Sequence, residues 1–128
     1  MGKTDYLENA LLNHTLRNVA YTPPVTVYVG LFTSPTSDAG GGTEVSGNAY
    51  ARQAVTFAAP SGGACSNSNL ITFPVATPSG WGTVTHAAIF DAVSGGNMLR
   101  HTTLTQARTV NAGDSLTFQI GQLIISEE

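Results

Sequence analysis

The chain has 128 residues, of which 41% are hydrophobic and only 10% charged, and its formal net charge is −3. This length predicts a single domain, residues 1–128, that can bury a core without disulfide bonds. The five Lys and Arg residues are scattered, which argues against nucleic-acid binding by phosphate neutralisation. No apolar run approaches the roughly 18 residues of a membrane span. The N-terminus lacks a signal peptide's apolar core, so we expect synthesis in a cytoplasm without export by a cleaved signal.

A helix is predicted over residues 4–18. Asp5 is a suitable N-cap, and Glu8 three residues later would complete a capping box. The apolar residues recur at helical spacing and form one stripe: Leu7, Ala10, Leu11, Leu12 and Leu16. The helix should end before Pro23 and Pro24. Its stripe packs either on the domain's own sheet or on a neighbouring subunit, because so short a helix is marginal alone in water.

Two strands are predicted in the first half of the chain, separated by a long polar loop over residues 34–48. Residues 25–33 alternate, with the valines and Leu31 on one face. Residues 50–57 form the next strand, with Tyr50 and Arg52 on its outward face. Because Arg and Tyr are enriched at interface hot spots, these two side chains are candidates for contact with a partner. The alternative is that Arg52 is an ordinary solvated arginine.

The second half of the chain reads as further short strands. Residues 60–68 are predicted as a loop containing the only cysteine, Cys65, as an inert thiol, and residues 69–75 as a strand. A hairpin follows, in which residues 81–91 and 98–104 pair across a turn at Ser94–Asn97, with Val84, Ala88 and Phe90 on one face. The remaining predicted elements are a strand over 106–110, a turn over 111–114, and a strand over 115–126 with a β-bulge at Gly121-Gln122.

Together these elements predict a mainly β fold. The class is an antiparallel β-sandwich or jelly-roll-like domain over residues 25–126, preceded by the N-terminal α-helix.

Catalytic and metal-binding patterns are weak in this sequence. If the hairpin pairs as predicted, His86 and His101 lie near one another and could in principle hold a metal. No Cys pair or acidic cluster accompanies them, and His86 can equally be a hydrogen-bonded core histidine. No Gly-x-Ser-x-Gly motif and no converging carboxylate pair is evident. We therefore expect no enzyme activity, metal, cofactor or small-molecule substrate.

The order of motifs carries more information than any single motif. The segments are LENALLNH at 7–14, YTPPVTVYVGLFT at 21–33, YARQ at 50–53, ITFP at 71–74, WGTVTHAAIFD at 81–91 and VNAGD at 110–114. This series resembles a family of small tailed-bacteriophage virion proteins that are commonly labelled tail-fibre proteins. The resemblance implies a non-enzymatic structural component of the virion.

Two placements in the particle follow from the resemblance. The chain is short and free of repeats, which favours a capsid decoration, or cement, protein on the outer capsid surface. Its partners would be the major capsid protein and copies of itself, as a dimer or trimer, with contacts at Leu7, Leu11, Tyr50 and Arg52. The alternative is a tail, fibre or baseplate component that touches the host.

A further alternative is a carbohydrate-binding sandwich. Its aromatic platform would combine Trp81 with Tyr28 or Tyr50.

Overall fold

A computed structural model describes residues 2–126; residues 1, 127 and 128 of the predicted domain lie outside the described residues. The described part contains one helix, α1 (Asp5–Leu16), and nine strands. The strands are β1 (Gly2–Lys3), β2 (Val27–Phe32), β3 (Gln53–Val55), β4 (Ala64–Ser66), β5 (Ile71–Thr72), β6 (Gly82–Phe90), β7 (Met98–Val110), β8 (Thr117–Phe118) and β9 (Ile124–Ser126). Within residues 2–126, no helix has the length and apolar character needed to cross a membrane.

Five strands form the main sheet in the order β1-β7-β6-β2-β3, and every pairing in it is antiparallel. Two antiparallel ribbons, β4-β9 and β5-β8, supply the second layer. Side chains of the main sheet and of the ribbons share one apolar core. The predicted antiparallel sandwich with an N-terminal helix is therefore confirmed.

The main core lies between the sheet and the ribbons. Val29 and Leu31 of β2 have no solvent exposure, as their alternation predicted. An aromatic cluster fills the centre, where the Phe73 ring stacks on Tyr50 and meets Trp81 and Phe118 edge-on. These side chains bury large apolar surfaces, so burial on this face supplies most of the hydrophobic free energy of folding.

The opposite face of the sheet carries a second, smaller cluster of Phe32, Ala88, Phe90 and Met98. The rings of Phe32 and Phe90 lie nearly parallel, with their centres 6.1 Å apart. The β6–β7 turn has its two positive-φ residues at Gly95 and Gly96, as the sequence predicted.

An irregularity in the pairing of β6 with β7 corrects the predicted alternation of the hairpin. The pairing with β7 shifts between Val84 and His86, so residues on either side of the shift change face. Val84 therefore shares the main core with Ala87 and Ile89. Ala88 and Phe90, predicted on the face of Val84, point to the opposite side.

Strand β7 is continuous, although a break near Thr105 was predicted. The pairs His86–Thr103 and Val84–Arg108 leave four residues, 104–107, opposite the single residue Thr85. A second irregularity lies at the turn end, where Ile89 pairs with Arg100 and Phe90 with Met98. Leu99 is the extra residue there, and the carbonyls of Met98 and Leu99 both accept hydrogen bonds from Thr4.

Those hydrogen bonds fix the start of α1 and correct its predicted cap. Thr4, not Asp5, is the N-cap, and its Oγ1 accepts from the Leu7 amide at 3.4 Å. Leu7 consequently occupies the third helical position, so the predicted capping box with Glu8 is wrong. The helix ends at Leu16, two residues before the predicted end, where Asn18 takes a left-handed φ of 55°.

Other predicted boundaries also change. The strands predicted over 50–57 and 69–75 shrink to β3 and β5, and the strand over 25–33 shrinks to β2. The loop predicted over 60–68 contains β4, and β1 was not predicted. The last predicted strand is divided by a turn in which the Gln122 amide bonds to the Gln119 carbonyl, so the bulge at Gly121-Gln122 is wrong.

Candidate functional site

Arg52 forms a bidentate ion pair with Glu44. Its Nε and Nη2 each lie 2.8 Å from a carboxylate oxygen of Glu44. Its Nη1 donates to the carbonyls of Ala92 and Gly95 in the β6–β7 turn, at 2.9 and 2.8 Å. The guanidinium also stacks on the ring of Phe90, 3.5 Å from its centre. This one side chain therefore joins three segments that are distant in sequence.

Tyr50 completes this group, here called the Arg52 network: Glu44, Tyr50 and Arg52. The Tyr50 hydroxyl donates to Glu44 at 2.6 Å and accepts from the Leu31 amide at 3.0 Å. Burial, followed by the hydrogen bond to Glu44, raises the pKa of Tyr50. The network covers the edge of β2 beyond Val29, where the pairing of β2 with β3 stops.

Gly30 makes this close approach possible. A Cβ there would lie 2.9 Å from a Glu44 carboxylate oxygen and 3.1 Å from the Phe90 ring. Any larger residue at this position would push the carboxylate away from the sheet.

The predicted outward orientation of Tyr50 and Arg52 is therefore wrong. The Arg52 side chain is only 8% exposed, and the Tyr50 ring packs against Phe73 and Trp81. The physical reason is that residues 50–52 precede β3 and do not follow its alternation. One signal in the sequence marks the pair, because Glu44 and Arg52 are the only charged residues between positions 39 and 90.

The aromatic platform expected for carbohydrate binding is not formed by Trp81. Its side chain is buried, and its indole N–H donates to the Asn48 carbonyl at 2.9 Å. Tyr50 meets the Trp81 ring edge-on inside the same cluster. Tyr28 alternates with Val27 and Val29 and so lies on the opposite face of the sheet.

A second polar group surrounds His101 on β7. Its Nδ1 is 2.8 Å from the Thr36 hydroxyl, and its Nε2 is 2.9 Å from an Asp38 carboxylate oxygen. The hydrogen bond from His101 lowers the pKa of Asp38. No local sequence pattern predicts this contact, because the loop and the strand are more than 60 residues apart.

This hydroxyl–imidazole–carboxylate order is that of a nucleophilic triad, but its burial is reversed. In a triad the carboxylate is buried and the nucleophile accessible. Here the Asp38 side chain is 53% exposed and the imidazole is buried. These hydrogen bonds hold the loop after β2 against β7.

His86 and His101 were predicted to lie near one another, and they do. His86 opposes Thr103 and His101 opposes Ala88, which makes the two imidazoles diagonal neighbours on one face. Burial, with a smaller effect of His101, lowers the pKa of His86, which is half-buried and bonds through Nδ1 to the Thr85 hydroxyl at 2.7 Å. No group of three or more metal-binding side chains occurs within residues 2–126. Cys65 lies on β4 opposite Ile125.

The apolar side chains predicted to form one stripe on α1 point in two directions, one inward and one to the outer side. Leu7 is 4% exposed and packs within the fold, and Leu11 is half-buried. Leu12 and Leu16 lie on the outer side, where Leu16 is 76% exposed. The interface role assigned to Leu7, Leu11, Tyr50 and Arg52 stays a prediction, although three of these side chains are engaged within the chain.

Comparison with known proteins gives one family. Residues 2–126 match the family model described as podophage GP4 fiber I protein gp80. A search of curated proteins found no match. The family match confirms the resemblance to small, tail-fibre-labelled phage virion proteins that the motif order indicated. Because it covers nearly every residue, this chain belongs to the podophage GP4 fiber I protein gp80 family and is a phage virion structural protein of the fibre type.

Proposed function

We propose that this chain is a non-enzymatic structural component of the fibre apparatus of a phage particle. The observation that carries the proposal is the match of residues 2–126 to a family described as a fibre protein. The geometry supports it, because the best-organised polar groups fasten loops to the sheet. Arg52 holds the β6–β7 turn, and His101 holds the loop that contains Asp38.

Attachment to neighbouring subunits would use apolar side chains between residues 12 and 25. Leu12, Leu16, Val19 and Val25 are all exposed, and Val25 is fully so. Burying such side chains against a partner contributes about 25 cal/mol per Å² of apolar surface. We assign this segment, named here the exposed helix segment, to contact with further copies of the chain in a dimer or trimer.

Self-association can be tested by light scattering on the purified protein. We expect an oligomer for the wild type and a monomer for the double variant Leu12→Asp/Leu16→Asp. The matched control is Leu70→Asp, since Leu70 is also exposed but lies outside the segment. A monomeric wild type, or a double variant that still associates, would contradict the assignment.

Capsid decoration is the second candidate, with the major capsid protein as partner on the outer capsid surface. It is supported by the low charge content of the chain, since few ions must be desolvated when such a surface is covered. Many weak contacts would then add through multivalency.

The copy number of the chain in purified virions separates the two placements. Quantitative mass spectrometry should give a small ratio of this chain to the major capsid protein if it belongs to the fibre apparatus. A ratio comparable to that of the major capsid protein would favour decoration and overturn the fibre placement.

A further inference from the structure

A cleft of about 520 Å³ lies where three distant parts of the chain meet. They are the start of α1, the loop that follows β2, and the turn between β6 and β7. The side chains that matter most at its walls are Asp5, Tyr6, Asp38, Phe90, Asn97 and Met98. The cleft is separate from the buried cluster of Trp81 and Tyr50.

Each wall of the cleft is fixed by contacts within the fold. Asp38 is held by the His101 imidazole at 2.9 Å. Asn97 is held by Asp91, which accepts from its backbone amide at 2.7 Å and from its side-chain amide at 3.0 Å.

The start of the helix is tied to the other two walls. The Thr4 hydroxyl donates to the Met98 carbonyl at 2.6 Å, and the Asp5 amide donates to the Asp38 carbonyl at 2.8 Å. Gly96 closes the turn against Asp91, where a Cβ would lie 2.5 Å from the carboxylate. Because these groups are already ordered, little conformational entropy would be lost when a ligand binds.

The chemistry of the walls matches a polyhydroxylated ligand. Tyr6 is 44% exposed and offers a ring with an apolar face and a polar tip. Asp5 and Asp38 supply carboxylate acceptors, and Asn97 supplies an amide. Phe90 and Met98 also line the cleft, but both are buried, so the stacking surface comes from Tyr6. Two carboxylates, on a chain of net charge −3, disfavour acidic ligands.

We propose that this cleft binds a neutral saccharide, which stacks on Tyr6 and donates its hydroxyls to Asp5 and Asp38. The inference does not depend on where the chain sits in the particle. If the cleft binds no sugar, the proposed structural function is unaffected. If the structural function is disproved, sugar binding by the cleft is unaffected.

The test is saturation-transfer NMR on the full chain with methyl glucoside, methyl galactoside, methyl rhamnoside and N-acetylglucosamine at millimolar concentrations. Glucuronic acid serves as the acidic comparison. We expect transfer to at least one neutral sugar and none to glucuronic acid. Absence of binding by all four neutral sugars would overturn the proposal.

Variants locate the binding. Tyr6→Ala should weaken it about tenfold or more, because the stacking ring is lost, whereas Tyr6→Phe should retain it. Asp5→Asn should also weaken it. The control is Leu70→Ala, because this exposed side chain lies outside both the cleft and the exposed helix segment. Circular dichroism melts confirm that each variant is folded. Unchanged binding in a folded Tyr6→Ala variant would place the sugar elsewhere and overturn the proposal.

Discussion

On the ribbon side of the five-stranded sheet, apolar side chains fill the space, and the aromatic cluster of Tyr50, Phe73 and Trp81 lies at its centre. On the opposite side the apolar cluster has only four buried members, and polar contacts complete it. There Arg52 lies over Phe90, and Thr4 bonds to the carbonyls of Met98 and Leu99. One face thus depends on buried area, and the other on a few hydrogen-bonded side chains from distant segments. Substitutions on the two faces should therefore fail for different reasons.

The largest effect is expected in the main core. Phe73→Ala should lower the free energy of unfolding by about 3–5 kcal/mol, because it leaves a cavity among three aromatic rings. Urea denaturation measures the change. Val75→Ala, at an exposed position two residues away, is the control and should cost under about 0.5 kcal/mol. Similar losses for both variants would contradict a core centred on Phe73.

Arg52→Ala should cost about 3 kcal/mol, because it leaves the Glu44 carboxylate without its ion pair in a largely buried setting. The matched control is Arg108→Ala. Arg108 bonds to one carbonyl at 3.0 Å and lies 5.7 Å from the Phe118 ring centre, so its loss should cost about 1 kcal/mol. Equal losses in urea denaturation would show that the Arg52 network adds nothing beyond one ordinary contact.

Thr4→Val keeps the shape of the side chain but removes the hydroxyl that caps α1 and bonds to β7. We expect a loss of about 1–2 kcal/mol and faster amide hydrogen exchange throughout α1. Thr15→Val is the matched control, since that exposed hydroxyl bonds only to the Leu11 carbonyl one turn earlier. If the amide hydrogens of α1 exchange at the same rate in both variants, the Thr4 hydroxyl does not stabilise the helix.

The smallest effects should appear as pH dependence. The folded state lowers the pKa of His86 below 6.5, so the unfolded chain takes up that proton first and stability falls as pH drops below 6.5. Asp38 has its pKa lowered from 3.8, so its contribution persists above that value and is lost on further acidification. When stability is measured against pH, the decrease below pH 6.5 should be absent in His86→Gln. The decrease below pH 3.8 should be absent in Asp38→Asn. A wild-type stability that does not change between pH 7 and 5 would contradict the role assigned to His86.

The same contrast explains what could be predicted from the sequence. The alternation of Val27, Val29 and Leu31 correctly located the core face of β2, because a regular strand has a period of two. Val25 was predicted on the same face, but it precedes β2 and is fully exposed. In β6 the register shift after Val84 breaks that period, so Ala88 and Phe90 were assigned to the wrong face. No pattern within the β6 sequence predicts this shift, because it depends on how β7 pairs with β6.

The polar contacts were harder still to predict. Tyr50 and Arg52 were identified as notable residues, but their inward orientation depends on Glu44 and on the small size of Gly30. The isolated opposite charges of Glu44 and Arg52 were a usable signal. His101 and Asp38 had none, because their contact arises only when β7 and the loop after β2 pack together.

The central claim, that this family member is a structural component of the fibre apparatus, is tested most directly by an asymmetric cryo-electron microscopy reconstruction of the native particle. The account predicts density for the sandwich at the tail, with the exposed helix segment buried against neighbouring copies. Density for the sandwich on the capsid shell, or a tail-bound copy whose residues 12–25 face solvent, would contradict it.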